Sequence, residues 1–160
     1  HIRTRRGLPE MIAKGPSGTR RIFTLLRKGD CVLLLADQRT SEGIPAPFFG
    51  RDALTTPVPA ALALKLGAVI VPASNERVNG AHFRMHVYPA IEPPNTGDAD
   101  RDLVAFTAAI NAFIEVRVRE RPDQWLWIHR RWTDSSAALR KRAQALFDRG
   151  GAKSDTSSRV

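Results

Sequence analysis

The sequence predicts an α/β fold, a mixed and mostly parallel sheet flanked by helices, and three observations carry that prediction. Cys31-Val32-Leu33-Leu34-Leu35-Ala36 is a continuous apolar run closed by an acid, the pattern of a buried strand. Ala68-Val69-Ile70-Val71-Pro72-Ala73 is a second such run. Between them lies an Ala-rich body, Ala60 to Leu66, opened by Thr56-Pro57 and closed by Gly67, as helices are punctuated. Strand, helix and strand in that order describe a right-handed parallel crossover.

The other elements follow in chain order. Residues 1–16 form an entry segment with room for a brief strand over Gly7–Ala13. Ser17 is placed to cap a helix over Gly18–Lys28 with Ile22, Leu25 and Leu26 on one face, and Gly29 to end it. Asn79-Gly80 signals a hairpin turn. The return strand, His82 to Tyr88, alternates Phe83, Met85 and Val87 with Arg84, His86 and Tyr88, which predicts one wet face. After the loop Pro93–Gly97, a long helix is expected from Asp98 to Glu120, with Leu103, Phe106, Ile110, Phe113 and Ile114 as its buried stripe. Arg121-Pro122 stops it. A compact aromatic block, 124–132, precedes a last amphipathic helix over Ser135–Arg149. Residues 1–150 are read as part of one domain and 151–160 as a disordered polar tail.

The chain has 160 residues, enough for one domain with a real core. Its first residue is His1, and it reads as a piece of a longer protein. No run approaches the roughly 18 apolar residues of a membrane span, and no signal peptide is visible. Cys31, the single cysteine, excludes a disulfide framework and reads as a small buried core residue. The formal charge of +9 is concentrated at the ends: residues 1–30 carry eight Lys/Arg against two acids, 129–160 eight against three, and 31–128 nine against eleven. Basic ends suit an anionic membrane leaflet, a phosphorylated lipid, an acidic carrier protein or nucleic acid, and equally a solvated face.

Two blocks hold the candidate chemistry. The loop Asp37-Gln38-Arg39-Thr40-Ser41-Glu42-Gly43 follows the first strand and so lies at the carboxyl rim of the sheet, where α/β proteins bind ligands. It runs into Pro47-Phe48-Phe49-Gly50, which joins an ionic head to an apolar body and suits an amphiphilic substrate. The second block, Trp125 to Trp132, carries three Trp beside His129, Arg130 and Arg131. The arginines are suited to clamp a phosphate or carboxylate, or else to pair with acids such as Asp37 or Glu76. The Trp residues read as anchors of the last strand or turn. His129 and Asp134 have the His-x4-Asp spacing of an acyltransferase dyad, but they do not follow an early strand. His82 and His86 lie on a strand with no acid or Cys cluster, so no metal site is expected, and no motif calls for a cofactor.

The succession Leu25-Leu26-Arg27-Lys28-Gly29-Asp30, Leu35-Ala36-Asp37-Gln38, Gly43, Pro47-Phe48-Phe49-Gly50, Thr55, Ala60, Ala63-Leu64, Val71-Pro72 and Trp125-Leu126-Trp127-Ile128-His129-Arg130-Arg131-Trp132 resembles the lipid A late acyltransferases, the lauroyl and myristoyl transferases of lipopolysaccharide biosynthesis. The resemblance covers about residues 5–133. It implies a glycerolipid-acyltransferase-like fold, here incomplete at the N-terminus and representing the C-terminal part of the domain. It implies acyl transfer from an acyl carrier protein thioester to a hydroxyl of a lipid A precursor, at the cytoplasmic face of the cell inner membrane, with an N-terminal anchoring helix. The family's His-x4-Glu dyad lies upstream of the Asp-Gln block, and here His1 is followed at the fifth position by Arg6, so the dyad is expected before His1. Asp37 and Gln38 would then support catalysis, while Arg39, Gly43, Phe48, Phe49, Arg130 and Arg131 would bind substrate. Arg3, Arg5 and Arg6 fall where the family has a basic segment. The anionic inner-membrane surface is the further expected partner, with no nucleic acid. The rival reading is a non-catalytic basic module that binds nucleic acid or anionic surfaces, supported by the pI near 10.9 and the three Trp.

Overall fold

The structure, a computed structural model, describes residues 10–132 together with residue 144. The chain divides into two compact units, His1–Leu34 and Leu35–Val160. In the first, α1 spans Pro16–Arg27. Pro16 takes the first helical position behind Gly15, so Ser17, the expected cap, lies inside the first turn and makes no capping bond. Gly18 is buried because the entry segment crosses there: a Cβ would lie 1.8 Å from the Ala13 carbonyl oxygen. Arg21 donates from Nε and Nη2 to the Glu10 carboxylate, at 3.0 and 2.6 Å. Of the brief strand expected over Gly7–Ala13, residues 7–9 lie outside the described residues and 10–13 are not a strand.

The second unit contains β1 (Ile44–Phe48), β2 (Arg51–Thr55), α2 (Val58–Leu66), β3 (Ala73–Asn79), β4 (His82–Val87), α3 (Ala99–Glu120) and a short 3-10 turn, Pro122–Gln124. Its core is Ala60 and Ala63 of α2 against Phe106 and Ile110 of α3, with Ala36, Ile70, Ile91, Leu103 and Ile114 packed around them. The three long predicted helices therefore stand where their patterns put them. Gly67 closes α2 in the left-handed conformation, φ 65°. Asp98 caps α3, accepting from the Asp100 and Arg101 amides. The last predicted helix, Ser135–Arg149, and the tail 151–160 lie outside the described residues.

The sheet corrects the sequence expectation. Both ladders are antiparallel hairpins, β1–β2 and β3–β4, and no parallel pairing occurs among the described residues. Cys31–Ala36 is not a strand: Cys31 is exposed, Leu33 and Leu35 are 72% and 76% exposed, and only Ala36 reaches the core. An apolar run becomes a buried strand only when neighbours take its backbone N–H and C=O groups, and among the described residues no strand pairs with it. The second run, Ala68–Ala73, joins an antiparallel partner instead: Ile70 bridges Ile91, and the Tyr88 amide donates to the Pro72 carbonyl.

The β1–β2 hairpin went unpredicted because Pro45 and Pro47 read as loop residues. Each strand of a two-stranded ribbon has a free edge, where a missing N–H costs nothing. The turn is Phe49-Gly50, both at positive φ (52° and 72°), as a two-residue hairpin loop requires. The β3–β4 hairpin does form next to Asn79-Gly80, but its two loop residues are Gly80-Ala81, between the paired Asn79 and His82, with Gly80 at φ 52°.

Gly43, at the foot of β1, is held by close approach. Its missing Cβ would lie 2.6 and 2.7 Å from the Thr55 backbone oxygen and nitrogen. Gly43→Ala should therefore cost about 1–3 kcal/mol, the range for overpacking, read as a lowered urea midpoint at unchanged slope.

Candidate functional site

Arg131, within the aromatic block, turns inward and reaches the end of β2. It is 1% exposed. Its Nη1 donates to the Leu54 carbonyl at 2.9 Å. Nη2 donates to Thr55 Oγ1 at 2.8 Å and to Asn111 Oδ1 at 3.0 Å. Phe48 lies under the guanidinium, 4.9 Å from its ring centroid. Burial draws the Arg131 pKa below the ordinary arginine value, and the Asp37 charge pushes it back. Arg131 thus binds three protein oxygens from two elements.

The Leu54 carbonyl has a second donor, the Thr40 amide at 3.5 Å, and the Gly43 amide donates to the Thr40 carbonyl at 3.2 Å. The loop Asp37–Gly43 is therefore tied to the same peptide group as Arg131. The two sequence blocks, far apart along the chain, meet at the end of β2. Asp37 and Gln38 are half-buried in this loop, and Arg39 is exposed beside them.

The far end of the hairpin is equally constrained. A Phe at positive φ is rare, and Phe49 is held there by several contacts. Its amide donates to Glu115 Oε2 at 2.6 Å. The Arg119 guanidinium lies 4.6 Å from its ring, and Phe48 meets that ring edge-on at 4.9 Å. Phe48 is fully buried, its ring near Trp125 and Trp132 at 5.7 and 5.5 Å, while its carbonyl accepts from Trp132 Nε1 at 3.1 Å. Of the two phenylalanines expected to wall an acyl chain, only Phe49 keeps part of its surface.

The structure gathers Asp37, Gly43, Phe48, Phe49 and Arg131 around the β1–β2 hairpin. It leaves Arg39, His129 and Arg130 exposed. Asp134, the second member of the His-x4-Asp pair, lies outside the described residues. Glu76 pairs with Arg121, Arg84 and His86, at 2.8, 3.9 and 3.1 Å, rather than with the Arg130-Arg131 pair. Among the described residues no group of three or more His, Cys, Asp or Glu could hold a metal.

Sequence reasoning missed Thr55, Asn111 and Glu115. Asn111 is fully buried and donates from Nδ2 to the Pro47 carbonyl and to Thr55 Oγ1, both at 3.0 Å. The available signal was an amide beside Ile110 on an otherwise apolar helix face, since a buried polar side chain requires partners.

Two expectations follow. Arg131→Met keeps much of the volume but strands the Asn111 and Thr55 oxygens, and should cost about 2–4 kcal/mol in urea unfolding. Asn111→Leu in the same background should then cost less than it does alone, because the two share partners. The second expectation concerns acid. Arg119, then the Phe49 amide, holds the Glu115 carboxyl below its ordinary 4.5. A carboxyl depressed on folding stabilises the fold above its unfolded pKa, and that stability is lost as pH falls through the folded value. Stability should therefore decline below about pH 4.5, and Glu115→Gln should flatten that decline, measured by Trp fluorescence.

The model of one protein family, described as bacterial lipid A biosynthesis acyltransferase, matches residues 1–134, which include the whole hairpin, the Asp37–Gly43 loop and the Arg131 block. No curated protein matches the chain. With most of its length under that match, the chain belongs to the family of bacterial lipid A biosynthesis acyltransferases.

Proposed function

We propose that this chain carries the acceptor-side half of an acyltransferase site, which moves a fatty acyl chain from an acyl carrier protein thioester to a hydroxyl of a lipid A precursor. The observation that carries the reading is the family match over residues 1–134. The joining of the Asp37–Gly43 loop and the Arg131 block at one carbonyl supports it, because the two blocks are then neighbours in space.

The chemistry divides between this chain and a His-x4-Glu dyad upstream of His1. The dyad histidine takes the proton of the acceptor hydroxyl, and the oxygen attacks the thioester carbonyl. The tetrahedral intermediate then expels the carrier thiolate, which receives the proton. Here the residues grip the acceptor. Arg39 and Arg130, both exposed, meet lipid A phosphates through planar, two-pronged contacts. Arg131 positions Asp37 and the loop from beneath. Phe49 offers apolar surface beside the acyl chain. The site works at the cytoplasmic face of the inner membrane, where basic residues gain from anionic lipid. No helix among the described residues is long and apolar enough to cross a membrane.

Lys replaces the charge of Arg but not its fork. Arg39→Lys and Arg130→Lys should each weaken binding of a bis-phosphorylated lipid A precursor by about tenfold or more. Binding of the dephosphorylated precursor should be unchanged, as should urea stability. Equal losses on both acceptors would sink the phosphate assignment. Tight, salt-dependent binding of an oligonucleotide with no binding of either precursor would favour the rival basic module.

A further inference from the structure

The β3–β4 ribbon faces opposite to the expected direction. Ser74, Glu76, His86 and Tyr88, the polar row, are half-buried on the side of α3. Tyr88 meets the Phe113 ring edge-on at 5.0 Å, lies 4.6 Å beneath the Arg117 guanidinium, and shares a 3.1 Å hydrogen bond with Ser74. Glu76 takes His86 and Arg121. Gln124 grips the Arg77 backbone at both its amide, 2.8 Å, and its carbonyl, 3.2 Å. These bonds fix which face turns inward.

The apolar row is consequently outside. Phe83, Met85 and Val87 are 56%, 63% and 67% exposed. The alternation continues back along the preceding segment, where Val69 and Val71 are exposed while Ile70 and Pro72 are covered. The register sets Ala73, Asn75 and Arg77 opposite Val87, Met85 and Phe83, so this face carries one cation and no acid. The Arg77 guanidinium lies 4.5 Å from the Phe83 ring centroid, capping the apolar row toward the hairpin tip. The ribbon's carboxylate, Glu76, is committed to the opposite face.

We propose that this outward face docks on an anionic phospholipid bilayer, with Phe83, Met85, Val87, Val69 and Val71 reaching the boundary of headgroups and acyl chains and Arg77 remaining among the phosphates. It rests on the reading that the acceptor is a bilayer lipid. Charge selects the occupant: an apolar row ending in a cation, with no carboxylate on its face, matches an anionic interface. The hydrophobic row without such a cation would fit a second copy of the chain equally well.

The test uses the 160-residue chain with Cys31→Ser and Met85→Cys, an environment-sensitive fluorophore on the new thiol, and Asn95→Cys as the control site. On vesicles of phosphatidylglycerol and phosphatidylethanolamine, the label at 85 should shift to the blue and be quenched by spin-labelled acyl chains, while the label at 95 should not. Phe83→Ser with Val87→Ser, folded by near-ultraviolet dichroism, should lower vesicle partitioning by about tenfold or more. Arg77→Glu should lower it on anionic vesicles and not on phosphatidylcholine. A label at 85 that stays in water, or that is shielded in the free chain through a concentration-dependent dimer, overturns the proposal. So does a serine variant that partitions like the parent. Phosphate discrimination by Arg39 and Arg130 is measured in detergent without vesicles, so either reading can fail while the other stands.

Discussion

A buried guanidinium holds this structure together. Taking a full charge out of water is costly, and Arg131 has no carboxylate among its hydrogen-bonded partners to offset the loss. Three oxygens, the face of Phe48 and the nearby charge of Asp37 compensate it. The partners come from four parts of the second unit: Leu54 and Thr55 from β2, Asn111 from α3, Phe48 from β1 and Asp37 from the loop. A side chain with several fixed donors in one plane can register several elements at once, which an apolar residue of similar volume cannot. Among the described residues the Nε of Arg131 has no hydrogen-bond partner.

Helix α3 holds the hairpin at two points. Asn111 and Glu115 are one turn apart on it, and they bind the Pro47 carbonyl in β1 and the Phe49 amide in the turn that follows. That docking keeps Phe49 in a conformation its side chain disfavours. Its energy comes from the Glu115 bond and the aromatic contacts, so the turn is an outcome of tertiary packing more than of local preference.

Elements governed by local chemistry were legible in the sequence. Gly67 ended α2, Asp98 capped α3, and Gly80 turned a hairpin one residue along from the expected Asn-Gly centre, since each acts within a few residues of itself. The Asp-Gln loop and the Arg-Arg-Trp block also stood out in the sequence, and the structure brings them together at the Leu54 carbonyl. Two kinds of feature were not. The parallel sheet was inferred from apolar runs, but a run records only that burial is wanted and says nothing of which backbone will pair with it; 68–73 found the antiparallel return segment and 31–36 found no ladder. The inverted ribbon was hidden for a related reason. Alternation identifies two faces, but which one turns inward was set by Glu76, Tyr88 and Gln124 through partners dozens of residues away.

The dipeptide Arg130-Arg131 shows how adjacent residues of one type acquire different work. As a sequence it reads as a single clamp. In the structure one guanidinium is enclosed and the other is exposed, so the pair cannot act on one ligand as equals. Arg131 fixes the chain at Leu54 and Thr55, and by doing so fixes the backbone from which Arg130 projects. An exposed arginine on a free loop would lose rotamer and backbone freedom on meeting a phosphate. One whose neighbour is anchored by three hydrogen bonds has already lost the backbone part on folding. Under the proposed function, the buried arginine would contribute to recognition without touching the ligand, by making its neighbour's contact less costly in entropy.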